Sequence, residues 1–158
     1  MDAGRDEGFL REAIALARRS VAEGGGPFGA LVARDGRVVA GGTNRVTLER
    51  DPTAHAEVVA IRAACRALGT HDLSGCVLYA SCEPCPMCLG AAQWARLEEV
   101  VHAADRAQAA AAGFDDQRFH AELARAPAER SLRARRLLAE EGRAPFDDWL
   151  AKADRVPY

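Results

Sequence analysis

Apolar residues near the start of the chain recur at the three- and four-residue spacing of an amphipathic helix. They are Phe9, Leu10, Ala13, Ile14, Ala17 and Val21. Three consecutive glycines, Gly24–Gly26, follow the last of them and act as a stop signal. The pattern therefore predicts a first helix from about residue 7 to residue 23.

Two short β-type runs, GALVAR and RVVAGG, come next and are separated by Asp35-Gly36. This dipeptide tolerates the positive φ angles of a two-residue turn. The pattern predicts two antiparallel strands joined as a hairpin.

Helices and strands then alternate. Asp51-Pro52-Thr53 offers an N-cap followed by a proline that is tolerated in the first turn, and the segment Ala54 to Leu68 continues as a helix until Gly69 ends it, so this helix should open almost at His55. The buried-type run CVLYAS predicts a strand, PCP begins a helix that continues through MCLGAAQWARL, and VVHAA predicts another strand. This order favours a single α/β domain, residues 1–158, in which helices cover a mostly parallel sheet behind the hairpin.

The last third of the chain gives a weaker pattern. Residues 113–127 are loop-like and then weakly helical, and SLRARRLL fits either a strand or a helix. PFDDWLAKA, from Pro145 to Ala153, predicts a final helix, with proline at its start and acidic residues in its first turn.

The composition and charge of the chain argue against two classes of partner, nucleic acids and membranes. The chain carries 21 Lys+Arg against 23 Asp+Glu, a net charge of −2, and its densest arginine segment, Arg125 to Arg136, is interrupted by other residues. We therefore expect no nucleic-acid partner. The apolar stretches are too short for a membrane helix and the start is acidic, so we expect no membrane association and a cytoplasmic location.

Three of the five cysteines, Cys82, Cys85 and Cys88, fall within seven residues, which favours a metal site over disulfides. His55-Ala56-Glu57 precedes them by a helix and a strand. One imidazole and two thiolates make a three-ligand zinc site whose fourth position is open to water, as in catalytic sites. Glu57, close to the metal without binding it, is placed to move the proton of that water.

A non-catalytic alternative stays open, in which a fourth protein ligand closes a structural zinc site. Cys82 is the strongest candidate for that ligand. Cys65 and Cys76 are interpreted as core thiols. His71, His102 and His120 have no ligand partner at motif spacing and are interpreted as structural or exposed.

HAE and PCPMC match the H-x-E and P-C-x-x-C signature of zinc deaminases. Further notable blocks are GGPFGA, DPTAHAEV, SCEPCPMCLGA, WAR, AGFDD, PAER and a terminal tyrosine. Together these blocks resemble the cytidine deaminase superfamily and, within it, the bacterial guanine deaminases. The resemblance implies a three-layer α/β/α fold with a central five-stranded mixed sheet and an antiparallel N-terminal hairpin.

The resemblance also implies hydrolysis of the C2 amine of guanine to give xanthine and ammonia. It assigns Zn²⁺ to His55, Cys85 and Cys88, and the proton shuttle to Glu57. Asn44 and Asp116 would bind the purine, and Asp116 would aid proton transfer to the leaving amine. The flat base would be walled by Phe28, Trp94 and Phe114.

Tyr158 would close the pocket, and the segment from about residue 145 to residue 158 would be exchanged between the subunits of a homodimer. The composition of Ser131–Gly142 and the ending RVPY depart from the family pattern, so related bases, aminotriazines and nucleosides remain alternative substrates. A tRNA adenosine deaminase has the same HAE and PCxxC motifs, but it should carry a basic terminal helix that binds RNA. Here the basic residues of the terminal segment are offset by the negative charges of Asp147, Asp148 and Asp154.

Overall fold

The computed structural model describes residues 3–114 and 116–157. They fall into two compact units, the first ending at His120 and the second beginning at Ala121. The strands are β1 (Gly29–Arg34), β2 (Arg37–Thr43), β3 (Cys76–Cys82) and β4 (Glu99–Ala104). The helices are α1 (Ala3–Ala22), α2 (Val46–Glu49), α3 (Ala56–Leu68), α4 (Pro86–Trp94), α5 (Arg106–Ala111), α6 (Gln117–Ala124) and α7 (Ala144–Ala151), with short 3₁₀ turns at Pro127–Glu129 and Glu141–Arg143.

The sheet of the first unit has the strand order β2-β1-β3-β4. Strand β1 pairs antiparallel with both β2 and β3, and β3 pairs parallel with β4. The prediction of a mostly parallel sheet is therefore wrong. The crossover through α3 leaves β2 and β3 running in the same direction, but the hairpin strand β1 lies between them and makes both of its own pairings antiparallel.

The five-stranded sheet that the resemblance implied is also corrected, because the sheet has four strands among the described residues. The segment SLRARRLL could have supplied a fifth strand. Residues 133–138 of that segment adopt no regular secondary structure. A strand obtains its backbone hydrogen bonds only from a neighbouring strand, so a local pattern could not decide between strand, helix and loop here.

Helices cover both faces of the sheet, so the three-layer arrangement is confirmed. On one face, fully buried Val32 and Leu78 pack with Ala60 and Ala64 of α3 and with Ala92 of α4. The other face has a smaller cluster built on Leu31, Ala33 and Tyr79, against which Phe9, Leu10 and Leu16 of α1 pack. The small side chains of α3 let that helix lie close to the sheet.

Local signals placed some element ends correctly, but the N-cap predicted at Asp51 is wrong, because its carboxylate accepts from Thr53 in a turn and α3 begins only at Ala56. Helix α1 also begins earlier than predicted, at Ala3. Asp35 and Gly36 have φ values of 51° and 72°, so the dipeptide forms the turn between β1 and β2. Gly69, with φ of 67°, ends α3 in the left-handed conformation that glycine adopts at low cost. The α-helices α3 and α4 begin directly after His55 and Cys85, respectively.

The second unit has little buried surface of its own. The predicted final helix is present as α7, with proline in its first turn. Large apolar side chains in this unit are exposed, and they include Leu132, Leu137, Leu138, Phe146 and Leu150. Across the described part of the chain, the helices are too short or too polar to span a membrane.

Candidate metal centre and pocket

The starts of α3 and α4 bring the predicted metal ligands together. His55 is the N-cap residue of α3 and Cys85 is the N-cap residue of α4, and both have extended backbone angles. Cys88 follows in the first turn of α4 and is fully buried. Because α3 and α4 pack on the same face of the sheet, their first turns meet at one end of it.

The distances between the three ligand atoms fit a zinc ion. The Nδ1 atom of His55 lies 3.6 Å from the Sγ atom of Cys85 and 3.5 Å from the Sγ atom of Cys88, and the two sulfurs are 3.6 Å apart. A tetrahedral zinc with bonds of about 2.3 Å to sulfur and about 2.0 Å to nitrogen requires ligand atoms about 3.5–3.8 Å apart. The donor set and its spacing therefore suit zinc.

The pKa values of the two thiols also favour binding of a cation. The hydrogen bond shared with Cys88, together with His55 beside it, lowers the pKa of Cys85 to about 4. The same hydrogen bond and burial raise the pKa of Cys88, because a second negative charge would lie next to the first. A divalent cation relieves this repulsion and stabilises both sulfurs as thiolates.

Cys82, the candidate fourth ligand, does not join this cluster. Among the described residues, the group able to hold a metal consists of His55, Cys85 and Cys88. The thiol of Cys82 donates instead to the backbone oxygen of Asp105 at 3.5 Å, and burial raises its pKa to about 11. The site therefore has the three-ligand form that leaves one position open.

The other cysteines and histidines are also outside the metal cluster. Cys76 is fully buried in the larger core cluster, and the partly buried Cys65 packs against that cluster, as the interpretation of core thiols requires. The group of three ligands includes none of His71, His102 and His120.

Glu57 lies in the first turn of α3 and is 7% exposed. Burial raises the pKa of its carboxyl group, an effect that the neighbouring His55 partly opposes. Glu57 lines the same cavity as His55 and Cys85. A buried carboxylate with a raised pKa next to a metal centre is suited to take up and release a proton.

The cavity has a volume of about 450 Å³, a size typical of sites for small organic molecules. Two aromatic rings on its wall, those of Phe28 and Phe114, meet edge to face with centroids 5.0 Å apart. Phe119 also lines it. The cavity thus combines apolar walls, which suit a flat ring, with the polar groups of the metal centre.

Asn44 and Asp116 add two polar groups to the cavity wall. The Asn44 side chain is 7% exposed, and its Oδ1 atom accepts a hydrogen bond from the backbone N–H of Val46 at 3.3 Å. This bond fixes the amide so that its NH₂ group is the donor left for a ligand. The Oδ1 atom of Asp116 is buried and accepts no hydrogen bond from the described residues.

An unpartnered buried carboxylate oxygen is costly, and at a cavity wall it marks a place where a ligand supplies the missing donor. Asp116 lines the same cavity as His55 and Cys85. The hydrogen bond between His55 and Cys85 is the main cause that raises the pKa of His55, and the charge of the Asp116 side chain adds to that rise. The pocket therefore offers an acceptor close to the metal and a donor at Asn44.

Residues 3–104 match the model of a protein family described as the cytidine and deoxycytidylate deaminase zinc-binding region. The chain belongs to this deaminase family. The matched region contains all three metal ligands together with Glu57 and Asn44.

Individual relatives within the deaminases extend the match beyond residue 104. The guanine deaminase of Bacillus subtilis (strain 168) is 48% identical over 153 residues, covering 96% of this chain and 98% of its own. The X-ray structure of guanine deaminase from Bacillus subtilis superposes with a TM-score of 0.93 at 46% identity, covering 100% of this chain and 99% of that one.

Two further relatives match a smaller part. NE0047, solved in complex with 2,6-diaminopurine, has a TM-score of 0.68 at 41% identity and covers 70% of this chain and 62% of its own. The tRNA-specific adenosine deaminase of Aquifex aeolicus (strain VF5) is 43% identical over 98 residues, covering 62% of this chain and 65% of its own.

Most of the site residues expected from sequence meet in this deaminase pocket. Trp94 is an exception, since it ends α4, is 68% exposed and lies outside the residues that line the cavity. Tyr158 lies outside the described residues. Sequence reasoning missed Glu83 and Phe119, which also line the cavity. Their positions inside the SCEPCPMC block and just after AGFDD were the available signals.

Proposed function

We propose that this protein is a zinc-dependent guanine deaminase that hydrolyses the C2 amine of guanine and gives xanthine and ammonia. The observation that carries the proposal is the Oδ1 atom of Asp116, which lies in the cavity of the metal centre and has no hydrogen-bond partner in the part of the chain that the structure describes. Guanine presents N–H donors at N1 and at its 2-amino group on one edge. A carboxylate acceptor near the metal would hold that edge with C2 beside the reacting centre.

The second polar group of the pocket supports the same orientation. The NH₂ group of Asn44, whose Oδ1 atom is already bonded to Val46, would donate to an acceptor atom of the purine, such as O6 or a ring nitrogen. A site that pairs both donors and acceptors of its ligand rejects bases that lack them much more strongly than an apolar pocket does. Phe28 and Phe114 would pack against the planar ring.

The comparisons support guanine over the other bases. The guanine deaminase of Bacillus subtilis aligns with 153 residues, so the alignment extends past the family region to the segment with Phe114 and Asp116. The ligand solved with NE0047, 2,6-diaminopurine, also carries an amine at C2. The tRNA-specific adenosine deaminase aligns with a smaller share of this chain.

The metal would be held by His55, Cys85 and Cys88. When bound there, zinc supplies a Lewis acid that makes water a stronger nucleophile near neutral pH. The remaining chemistry belongs to the protein's side chains.

Glu57 would take a proton from water as the oxygen forms its bond to C2, and would return that proton to the purine. The bond between C2 and the amine nitrogen then breaks, and ammonia leaves. Asp116, hydrogen-bonded to the 2-amino group, would aid transfer of the second water proton from the oxygen at C2 to this group, so that the group leaves as ammonia and C2 keeps a carbonyl oxygen. The overall reaction consumes one water and one guanine, and it yields one xanthine and one ammonia.

A substrate panel tests this function. Ammonia release is measured with guanine, guanosine, cytosine, cytidine, adenine and ammeline, and xanthine is identified by chromatography. The proposal expects guanine to be consumed with the highest kcat/KM. Faster turnover of cytidine or guanosine would contradict the pocket assignment while leaving zinc-dependent deamination intact.

We also propose that the protein is a homodimer that exchanges the segment from about residue 145 to residue 158. Exposed apolar side chains support this, because Leu132 and Phe146 are 84% and 69% exposed. Burial of such side chains against a partner subunit would remove apolar surface from water. On this proposal Tyr158 closes the pocket of the partner subunit.

Complementation of two inactive variants tests the exchange. One variant is Glu57→Ala and the other lacks Pro157-Tyr158. If Tyr158 acts on the partner's pocket, a mixed dimer contains one site with both Glu57 and a tyrosine, so co-refolding of the two variants restores turnover. If the tail acts within its own subunit, the mixture stays inactive.

We place the protein in the cytoplasm. All five cysteines are free thiols, as the reducing conditions of that compartment favour. Fractionation of the producing cell with a compartment marker tests this location.

A further inference from the structure

Ser20 is a buried polar residue that lies next to the pocket without lining it. It sits in the last turn of α1 and is 1% exposed. Its hydroxyl group donates a hydrogen bond to the backbone oxygen of Asn44 at 3.1 Å. The backbone oxygen of Ser20 accepts in turn from the N–H of Gly25 at 2.8 Å. Ser20 thus links α1 to two other parts of the chain, the glycine segment (Gly24–Gly26) and Asn44, which follows β2.

Within residues 3–114 and 116–157, three of the four polar groups of Asn44 have a hydrogen-bond partner. The backbone N–H donates to the backbone oxygen of Phe28 at 3.0 Å, and the backbone oxygen accepts from Ser20. The side-chain Oδ1 accepts from the N–H of Val46. The fourth polar group is the side-chain NH₂. In the proposed function this group donates a hydrogen bond to the purine.

The space around Asn44 is too tight for its backbone to move toward the glycine segment. A Cβ atom on Gly25 would lie 2.4 Å from the backbone oxygen of Asn44 and 2.5 Å from the hydroxyl of Ser20. A Cβ atom on Gly26 would lie 3.1 Å from the side chain of Asn44. Gly25 and Gly26 therefore prevent Asn44 from moving toward them. The hydrogen bond from Ser20 keeps the backbone oxygen of Asn44 close to Gly25.

We propose that Ser20 is a positioning residue for substrate recognition and acts through Asn44. The hydroxyl of Ser20 fixes the backbone of Asn44, and this sets the place of the NH₂ group in the cavity. Ser20 itself touches no substrate. The inference rests on the proposed function, because it assumes that Asn44 binds the base.

A double-mutant cycle with Ser20→Ala and Asn44→Ala tests the inference. The kinetic constants for guanine are measured for the wild type, both single variants and the double variant, together with zinc content and thermal melting. Loss of one fixed hydrogen bond should raise the KM of Ser20→Ala about tenfold. Zinc content should not change, and kcat should stay within about threefold of the wild-type value because the metal and Glu57 are untouched.

The cycle separates positioning from a general structural role. If Ser20 acts through Asn44, Ser20→Ala has no further effect on KM in the Asn44→Ala background. Equal effects of Ser20→Ala in both backgrounds, or no effect in the wild type, would overturn the role of Ser20. An unchanged KM in Asn44→Ala would instead overturn the place of Asn44 in the proposed function, and the role of Ser20 with it.

Ser20→Cys keeps the test decisive if Ser20→Ala folds poorly. A thiol has a similar size and remains a weak donor, so this variant should raise KM for guanine by less than about tenfold. The same cycle with Asn44→Ala applies to it. A rise in KM above about tenfold, or one that is equally large in the Asn44→Ala background, would contradict the inference.

Discussion

The carboxylate of Glu83 and the guanidinium of Arg106 join the loop after β3 to the start of α5. Both carboxylate oxygens accept from Nε of Arg106 at 3.1 Å, and one also accepts from its backbone N–H at 3.2 Å. The Nη2 group of Arg106 donates to the same carboxylate. Glu83 precedes Cys85 by two residues, and Arg106 begins α5, which leads to Phe114 and Asp116.

We expect Arg106→Ala to lower kcat/KM for guanine by about tenfold, because small displacements of positioned groups cost rate steeply. Arg106→Lys should lose less, since it keeps the charge but not the two-pronged geometry. Steady-state kinetics compare both variants with Arg11→Ala, which removes an exposed partner of Glu7 on α1. Equal activity of Arg106→Ala and Arg11→Ala would show that the Glu83 contact has no role in positioning.

Glu57→Ala separates catalysis from metal binding. Glu57 is not one of the three ligands, so the variant should keep a full complement of zinc. Removal of the general base should reduce kcat by about 10²–10⁴-fold. Metal analysis and ammonia release are measured on the same sample. Retained turnover would favour the non-catalytic zinc module instead.

Asp116→Asn tests the acceptor at the cavity wall. The substitution preserves shape but replaces one carboxylate oxygen with an amide NH₂ group, so the guanine edge loses an acceptor. We expect kcat/KM to fall by at least about 10²-fold with zinc retained. Asp35→Asn is the matched control, because Asp35 lies in the exposed hairpin turn with φ of 51°, which asparagine tolerates. Similar kinetics for the two variants would remove Asp116 from the site.

Gly42→Ala tests how β2 supports the helix that carries His55. A Cβ atom there would lie 2.5 Å from the backbone oxygen of Ala56 and 2.6 Å from the backbone nitrogen of Ala60. Overpacking against helix backbone should lower the free energy of unfolding by about 3 kcal/mol and reduce zinc binding.

Gly8→Ala is the control for Gly42→Ala. Gly8 lies in α1 with nothing within 4 Å of an added Cβ atom, so helix propensity should stabilise that variant by about 0.5–1 kcal/mol. Denaturant unfolding measures both variants. An unchanged stability of Gly42→Ala would mean that α3 can move away from β2 at no cost.

The parts of the fold that could be predicted from sequence depend on local chemistry. The turn at Asp35-Gly36, the end of α3 at Gly69 and the start of α4 after Cys85 each follow from the residues at that position. The metal ligands and Glu57 could be located because their spacing recurs in zinc deaminases.

The missed features depend on partners far away in the chain. Ser20 has the pattern of a surface residue on an amphipathic helix, and its contact with Asn44 spans 24 residues. Likewise, nothing in the sequence pairs Glu83 with Arg106. The short helices α2 and α5 were not predicted, because four and six residues carry too little periodicity. The state of residues 133–138 could not be settled by pattern alone.

Guanine turnover as a function of bound zinc tests the central claim most directly. The purified protein is stripped with a chelator, and xanthine formation is followed as zinc is added back in known amounts. We predict no turnover in the metal-free protein and a rise that reaches its plateau at one zinc per chain. Xanthine formation by metal-free protein, or a fully zinc-loaded protein that leaves guanine unchanged, would contradict the account.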